Sequence, residues 1–253
     1  MCLPAQDSCV YADSGDVSYG VSSPPLFHAP AASPRRVFVT GGTGYVGRAL
    51  IPVLLERGHR VRALVRPGSE RKLPFGMDLV TGDPLNAASV ETSLLGADTL
   101  VHLVGVPKPS PAKARQFREI DLASIRATVD AVERVPSRPH LVYLSVAQPA
   151  PVMKAYVAAR QEGEALIRAR GLDATFLRPW YVLGPGHRWP CVLSPMYAVL
   201  RWFPATRSGA ERLGFVTLAQ MVGALTQAIE EPARGVRIME VPEIRKTKVL
   251  VVI

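Results

Sequence analysis

From residue 35 onward the chain alternates between short apolar runs and longer stretches with a single apolar face. Runs of β-branched and aliphatic residues over 36–40, 60–65, 78–80, 99–104, 140–145 and 174–177 read as strands. Between them, apolar residues recur at helical spacing over 45–57, 86–95, 112–134 and 152–170, and Gly58 and Gly171 end the first and last of these. Pro52 lies inside the first helix, where it either kinks the helix or is tolerated near its opening turns. Strand and helix in strict alternation predict an α/β fold, a doubly wound parallel sheet. Past Pro179 the pattern loosens. Helices near 192–202 and 217–230 and a strand near 236–241 predict a small helical C-terminal cap over about 181–235. Residues 248–253 are either an added edge strand or a tail. Residues 1–33 are rich in Ser, Pro, Ala, Gly and Asp without periodicity and predict a disordered extension, leaving 34–253 as the folded unit.

The most informative local pattern is the turn after the first strand: Thr40-Gly41-Gly42-Thr43-Gly44-Tyr45-Val46-Gly47. A strand running through glycines straight into a helix is how a parallel α/β fold holds a dinucleotide pyrophosphate. The glycines fit both a G-x-G-x-x-G reading (42, 44, 47) and a G-x-x-G-x-x-G reading (41, 44, 47). Gly41 or Gly42 allows the sharp turn, Gly44 leaves room for phosphates, and Gly47 lets the helix approach the strand. The first-turn amides, with Thr43, Tyr45 and Val46 around them, offer N–H groups and partial positive charge to the anion. The plain alternative, a flexible glycine turn, is at odds with the ordered flanks.

The end of the second strand bears on which dinucleotide is bound. An acid there would accept from the ribose 2′-hydroxyl of NAD, whereas a basic residue would pair with the 2′-phosphate of NADP. Arg66 stands there, 19 residues past Gly47, with Ser69, Arg71 and Lys72 as further donors. Guanidinium suits phosphate because its planar fork gives bidentate, charge-assisted bonds. The pattern therefore favours NADP(H) over NAD(H), although Arg66 also reads as an ordinary solvated loop residue.

Composition adds limits. The 253 residues are 48% apolar, enough for a sizeable core, with a net charge of +9. The 30 Lys and Arg are dispersed, which fits a solvated surface and an anionic cofactor better than nucleic acid. No apolar stretch is long enough to span a bilayer. Cys2, Cys9 and Cys191 form no disulfide framework, and no metal-ligand spacing is present. A cytoplasmic protein that binds a dinucleotide and a small-molecule substrate is expected, with its oligomeric state open.

The chain resembles the short-chain dehydrogenase/reductase superfamily, in its extended and atypical NAD(P)-binding branches, such as epimerase/dehydratase-like and isoflavone-reductase-like proteins. The resemblance rests on the glycine run, Val61 to Arg66, Gly82-Asp83, Val101 to Gly105, Leu141 to Ser145, Tyr156, and Leu177-Arg178-Pro179 with Gly184-Pro185-Gly186. It covers about residues 35–190 and implies a Rossmann-type fold. By that resemblance Asp83 would hold the adenine amino group and Gly105 would lie under the cofactor ribose. Ser145 would hydrogen-bond the substrate carbonyl, Tyr156 would be the general acid/base, and Pro179 would flank the nicotinamide.

One position departs from the family. Where the family has Tyr-x-x-x-Lys, this chain has Tyr156-Val157-Ala158-Ala159-Arg160. Positions i and i+4 share a helix face, so Arg160 can serve the same site and bias the tyrosine, with a bulkier and planar head. Asp121 stands where the family often has asparagine. Tyr156 also reads as a half-buried helix residue and Ser145 as a strand-end hydroxyl. His102, in an apolar strand, reads as a satisfied core histidine. Trp180, Tyr181, His187 and Trp189 follow the sixth strand, where this fold builds substrate pockets.

The sequence thus supports an NADP(H)-dependent oxidoreductase passing hydride to a small carbonyl or activated alkene, with Tyr156, Ser145 and Arg160 at its centre. A non-catalytic NADP(H)-binding sensor or assembly factor is the first alternative. An NAD-dependent sugar epimerase or dehydratase is the second.

Overall fold

The computed structural model describes residues 33–186, 209 and 212–247. The readings for residues 1–32, Cys191, His187, Trp189, the helix near 192–202 and the segment 248–253 lie outside them. Nine strands are seen among the described residues: β1 (Arg36–Thr40), β2 (Arg60–Val65), β3 (Asp78–Thr81), β4 (Thr99–His102), β5 (His140–Leu144), β6 (Ala174–Arg178), β7 (Tyr181–Leu183), β8 (Phe215–Thr217) and β9 (Val236–Glu240). The main helices are α1 (Tyr45–Glu56), α2 (Ala87–Leu94), α3 (Ala123–Arg134), α4 (Lys154–Ala169), α5 (Leu218–Glu230) and α6 (Val241–Lys246).

Seven strands form one parallel sheet in the order β3-β2-β1-β4-β5-β6-β9. The central strands are apolar and buried on both faces, as a sheet covered on both sides requires; β3, at one edge, is mostly exposed. One face packs α1 and α5 around Leu50, Leu54, Met221 and Leu225. The other packs α2, α3 and α4 around Val90, Leu94, Ile125, Val129 and Ile167. The chain leaves β1 toward β2 on one side, while β4 lies on the other. The carboxyl ends of β1 and β4 therefore form the switch point where this architecture binds ligands.

α1 runs through Pro52 without ending, one of the two outcomes expected for it. Other elements differ from the sequence reading for physical reasons. The helix expected over 112–134 is not uniform. It opens with a tight turn, Pro111–Lys113, and passes through a π-helical stretch, Phe117–Leu122, before α3. Periodicity alone reads straight through such a bulge, which often marks a functional site. Strands β7 and β8 pair in parallel as a separate two-stranded sheet, and three residues each are too few to show a period. α5 begins at a capping box between Thr217 and Gln220 and lies on the main sheet beside α1.

Candidate dinucleotide site and its neighbouring polar clusters

The glycine run lies at the carboxyl end of β1. Gly41 adopts φ +76°, and a Cβ there would come within 2.7–2.8 Å of the Leu103 and Val104 backbone. Gly41 is thus the turning residue, held against the segment after β4. A Cβ on Gly47 would overlap the Gly42 backbone, so α1 rests directly on the turn. Gly44 is the exposed N-cap, and a Cβ there would meet only the Gly41 oxygen, at 3.1 Å. No side chain caps α1, and its first turn contains no acid. Those N–H groups and the open side of Gly44 fit a pyrophosphate. Thr43, Tyr45 and Val46 are half-buried around the turn. The Tyr45 ring reaches Gly184 beyond β7, where a Cβ would overlap its hydroxyl, and burial pushes that phenol up.

Arg66 directly follows β2 and is exposed, as are Arg71 and Lys72. Its carbonyl accepts from the Ser69 N–H at 3.0 Å, which closes the turn over which these donors gather. Asp83 is exposed two residues beyond β3, and one of its oxygens accepts from the Leu85 N–H at 2.9 Å. Both flank the β2–β3 side of the switch point.

On the other side, Tyr156 and Arg160 share a face of α4. The Arg160 guanidinium carbon lies 5.4 Å from the Tyr156 ring centre and 5.7 Å from that of Tyr143, so the cation sits between two phenols. Tyr156 is half-buried, its ring 5.0 Å from that of Phe117. Tyr143 is fully buried, and its hydroxyl is pushed up to about 12 by burial. Arg160 is itself buried. It donates to Asp121 Oδ1 at 2.6 Å, to the Leu144 carbonyl at 2.9 Å and to the Val104 carbonyl at 3.2 Å. Burial pushes the Asp121 carboxyl up, against the pull of Arg160 and the Val106 N–H. Gly105 lies directly over this guanidinium.

Ser145 belongs to a neighbouring cluster. Its hydroxyl donates to Glu164 Oε1 at 2.6 Å, and Gln148 donates to the same oxygen at 2.7 Å. Arg178 donates to both Glu164 oxygens, at 2.9 and 2.5 Å. Glu164 is 1% exposed and Ser145 2%. Pro179, which follows β6, is buried, and its carbonyl accepts from the Ala147 N–H at 3.0 Å. The structure therefore brings Tyr156, Arg160 and Gly105 together and places Ser145 in an adjoining cluster around Glu164. No sequence motif points to Glu164. Its one signal is the spacing i, i+4, i+8 that puts it on the face of Tyr156 and Arg160.

His102 is fully buried. The Thr40 and Thr128 hydroxyls lie 3.1 Å from Nδ1, and that of Ser124 lies 3.3 Å from Nε2. Ser124 gives its own proton to the Asp121 carbonyl, so the network assigns the imidazole proton to Nε2. His102 is a neutral core histidine, pushed down to about 3 by burial. Trp180 and Tyr181 stack edge to face at 5.6 Å. Among the described residues no cluster could hold a metal ion, and no helix is long and apolar enough to cross a membrane.

Residues 41–186 match the model of the NAD(P)H-binding family. The chain belongs to that family. It falls in the short-chain dehydrogenase/reductase superfamily, in the extended and atypical branch related to epimerases, dehydratases and reductases. The ceramide reductase of Caulobacter vibrioides is 31% identical over 154 residues, 59% of this chain and 47% of that protein. A 3-diazoavenalumate denitrifying reductase from a Streptomyces is 28% identical over 228 residues, 79% of this chain and 74% of that protein. The 3-beta-hydroxysteroid dehydrogenase of Mycolicibacterium neoaurum is 42% identical over 71 residues, 28% of this chain and 19% of that one. This NAD(P)H-binding chain thus spans less than half the length of the ceramide reductase and of the steroid dehydrogenase. Among solved structures, the Bordetella bronchiseptica enzyme WbmH in complex with NAD+ superposes with a TM-score of 0.62 at 19% identity, covering 82% of this chain and 76% of that one. That likeness concerns the fold.

Proposed function

We propose that this chain is an NADP(H)-dependent oxidoreductase acting on a small carbonyl or activated alkene, with Tyr156 as proton donor. The observation that carries the proposal is Tyr156 beside the Arg160 guanidinium, next to Gly105 and across the switch point from the glycine run. The first turn of α1 would hold the pyrophosphate, and Arg66, with Arg71 and Lys72 nearby, would take the 2′-phosphate. Asp83 would hold the adenine amino group, and Pro179 would flank the nicotinamide. A bound nicotinamide supplies the hydride. Negative charge then grows on the substrate oxygen, and a phenol at that point gives up its proton. The Arg160 guanidinium lies beside that phenol, 5.4 Å from its ring centre. Ser145 shapes the substrate end: its proton is committed to Glu164, so its part is to fix the 145–148 turn.

The names of two relatives include a ceramide and a steroid, which supports extending a substrate screen to apolar carbonyls. The test is NADPH oxidation across such a screen, with Tyr156→Phe as control. Turnover that the variant lacks supports the proposal. Turnover equal in both overturns the role of Tyr156.

A non-catalytic NADP(H)-binding protein is the second reading. It is favoured by the burial of Arg160, whose donors already serve Asp121 and two backbone carbonyls.

A further inference from the structure

We infer that Asp121 and Arg160 form one positioning device for the nicotinamide half of the cofactor site, acting on the backbone of residues 104–106 rather than on the cofactor itself. The inference rests on the dinucleotide reading above. Four bonds build the device. Arg160 Nη2 donates to Asp121 Oδ1 at 2.6 Å and to the Val104 carbonyl at 3.2 Å. Arg160 Nη1 donates to the Leu144 carbonyl at 2.9 Å. The Val106 N–H donates to Asp121 Oδ2 at 3.1 Å. One buried ion pair thus ties together α4, the π-helical stretch, the segment following β4 and the end of β5.

The two side chains are 4% and 0% exposed, which leaves almost no surface for a ribose to touch. Their effect passes through Gly105, between the two tied residues. A Cβ there would overlap the guanidinium and would lie 3.1 Å from Asp121 Oδ1. The backbone at Gly105 therefore rests on the ion pair. From the other side, Gly41 presses on Leu103 and Val104. The segment is held between the glycine turn and the Arg160–Asp121 pair, so its height over the switch point is set by that pair. A planar fork serves three acceptors in fixed directions; an ammonium on a flexible stem sets no such geometry. The bulge at Phe117–Leu122 is the stretch of helix that carries Asp121 into this position. Arg66 and Asp83 lie on the far side of β1, at the ends of β2 and β3, outside the reach of these bonds.

Loosening the pair should therefore weaken the nicotinamide half and spare the adenosine half. The experiment titrates NADPH and adenosine 2′,5′-bisphosphate against the unaltered protein, Asp121→Asn and Arg160→Lys, with circular dichroism to establish that each is folded (NADH and AMP replace the pair if those are what the unaltered protein binds). Folded variants should bind NADPH about tenfold more weakly, the loss expected when a charge-assisted bond stops supporting a surface, with bisphosphate affinity unchanged. Unchanged affinity for both ligands, or an equal loss for both, overturns the inference. If either variant unfolds, the other carries the comparison. Hydrogen exchange on the unaltered protein supplies an independent readout. The Val106 amide should exchange more slowly with NADPH bound but not with bisphosphate bound, and identical exchange in both also overturns the inference. An unaltered protein that binds neither ligand overturns the dinucleotide reading itself, a distinguishable failure.

Discussion

Ser145 gives its single hydroxyl proton to Glu164 across 2.6 Å, in a pocket where both residues are buried. That carboxylate also accepts from Gln148 and from two nitrogens of the Arg178 guanidinium, so it joins the segment after β5 and the end of β6 to α4. Removing one partner from such a cluster leaves a buried charge short of hydrogen bonds. Ser145→Ala should lower stability by about 2 kcal/mol, the range for bonds to charged groups. Glu164→Gln should cost more, about 3–5 kcal/mol, because Arg178 loses its buried counter-charge. Urea unfolding checks both. Ser145→Ala should keep turnover that Tyr156→Phe loses; turnover lost in both would return Ser145 to the substrate itself.

The glycine turn separates packing from binding. A side chain at Gly47 meets the Gly42 backbone, which cannot yield without moving α1 off the sheet. Gly47→Val should destabilise by about 3 kcal/mol, the upper range for overpacking, and abolish cofactor binding as well. Gly44→Val meets one carbonyl oxygen and is otherwise open. It should change the thermal midpoint little while blocking the pyrophosphate. Thermal unfolding with NADPH titration distinguishes the two, and equal destabilisation would contradict the assigned roles.

Stability should fall as pH drops below neutrality. His102 and His140 are pushed down by burial, to about 3 and about 4. Unfolded, both take up protons near pH 6.5; folded, they take them up only near those lower values. The unfolded state therefore binds more protons throughout pH 6.5 to 4, and stability declines as pH falls through that window. Each histidine contributes a slope approaching about 1.4 kcal/mol per pH unit. Urea midpoints at pH 7.5, 6 and 5 measure it, and His140→Gln should flatten it. A midpoint that rises on acidification would contradict the buried neutral assignment.

The order of elements and the glycine turn are legible in the sequence because they rest on local signals. The apolar β-branched runs match β1 and β2 residue for residue, and the turn needs glycine for reasons internal to its own backbone. What is hidden depends on distant partners. The departure of residues 117–122 from a regular helix accompanies the bonds of Asp121 to Arg160 and Val106, which no window around Asp121 contains. Glu164 reads as an ordinary polar helix position until Arg178, 14 residues later, folds back on it. The hydroxyl of Ser145 has many possible directions in a sequence and one in the fold.

The central claim is a dinucleotide site in which Arg66 selects the 2′-phosphate. The most direct measurement is titration of the purified protein with NADPH and with NADH, repeated on Arg66→Ala. The account predicts tighter NADPH binding by about tenfold or more, the worth of one charge-assisted phosphate contact, with the preference lost in the variant. Equal binding of the two cofactors, tighter binding of NADH, or a preference untouched by Arg66→Ala would contradict it.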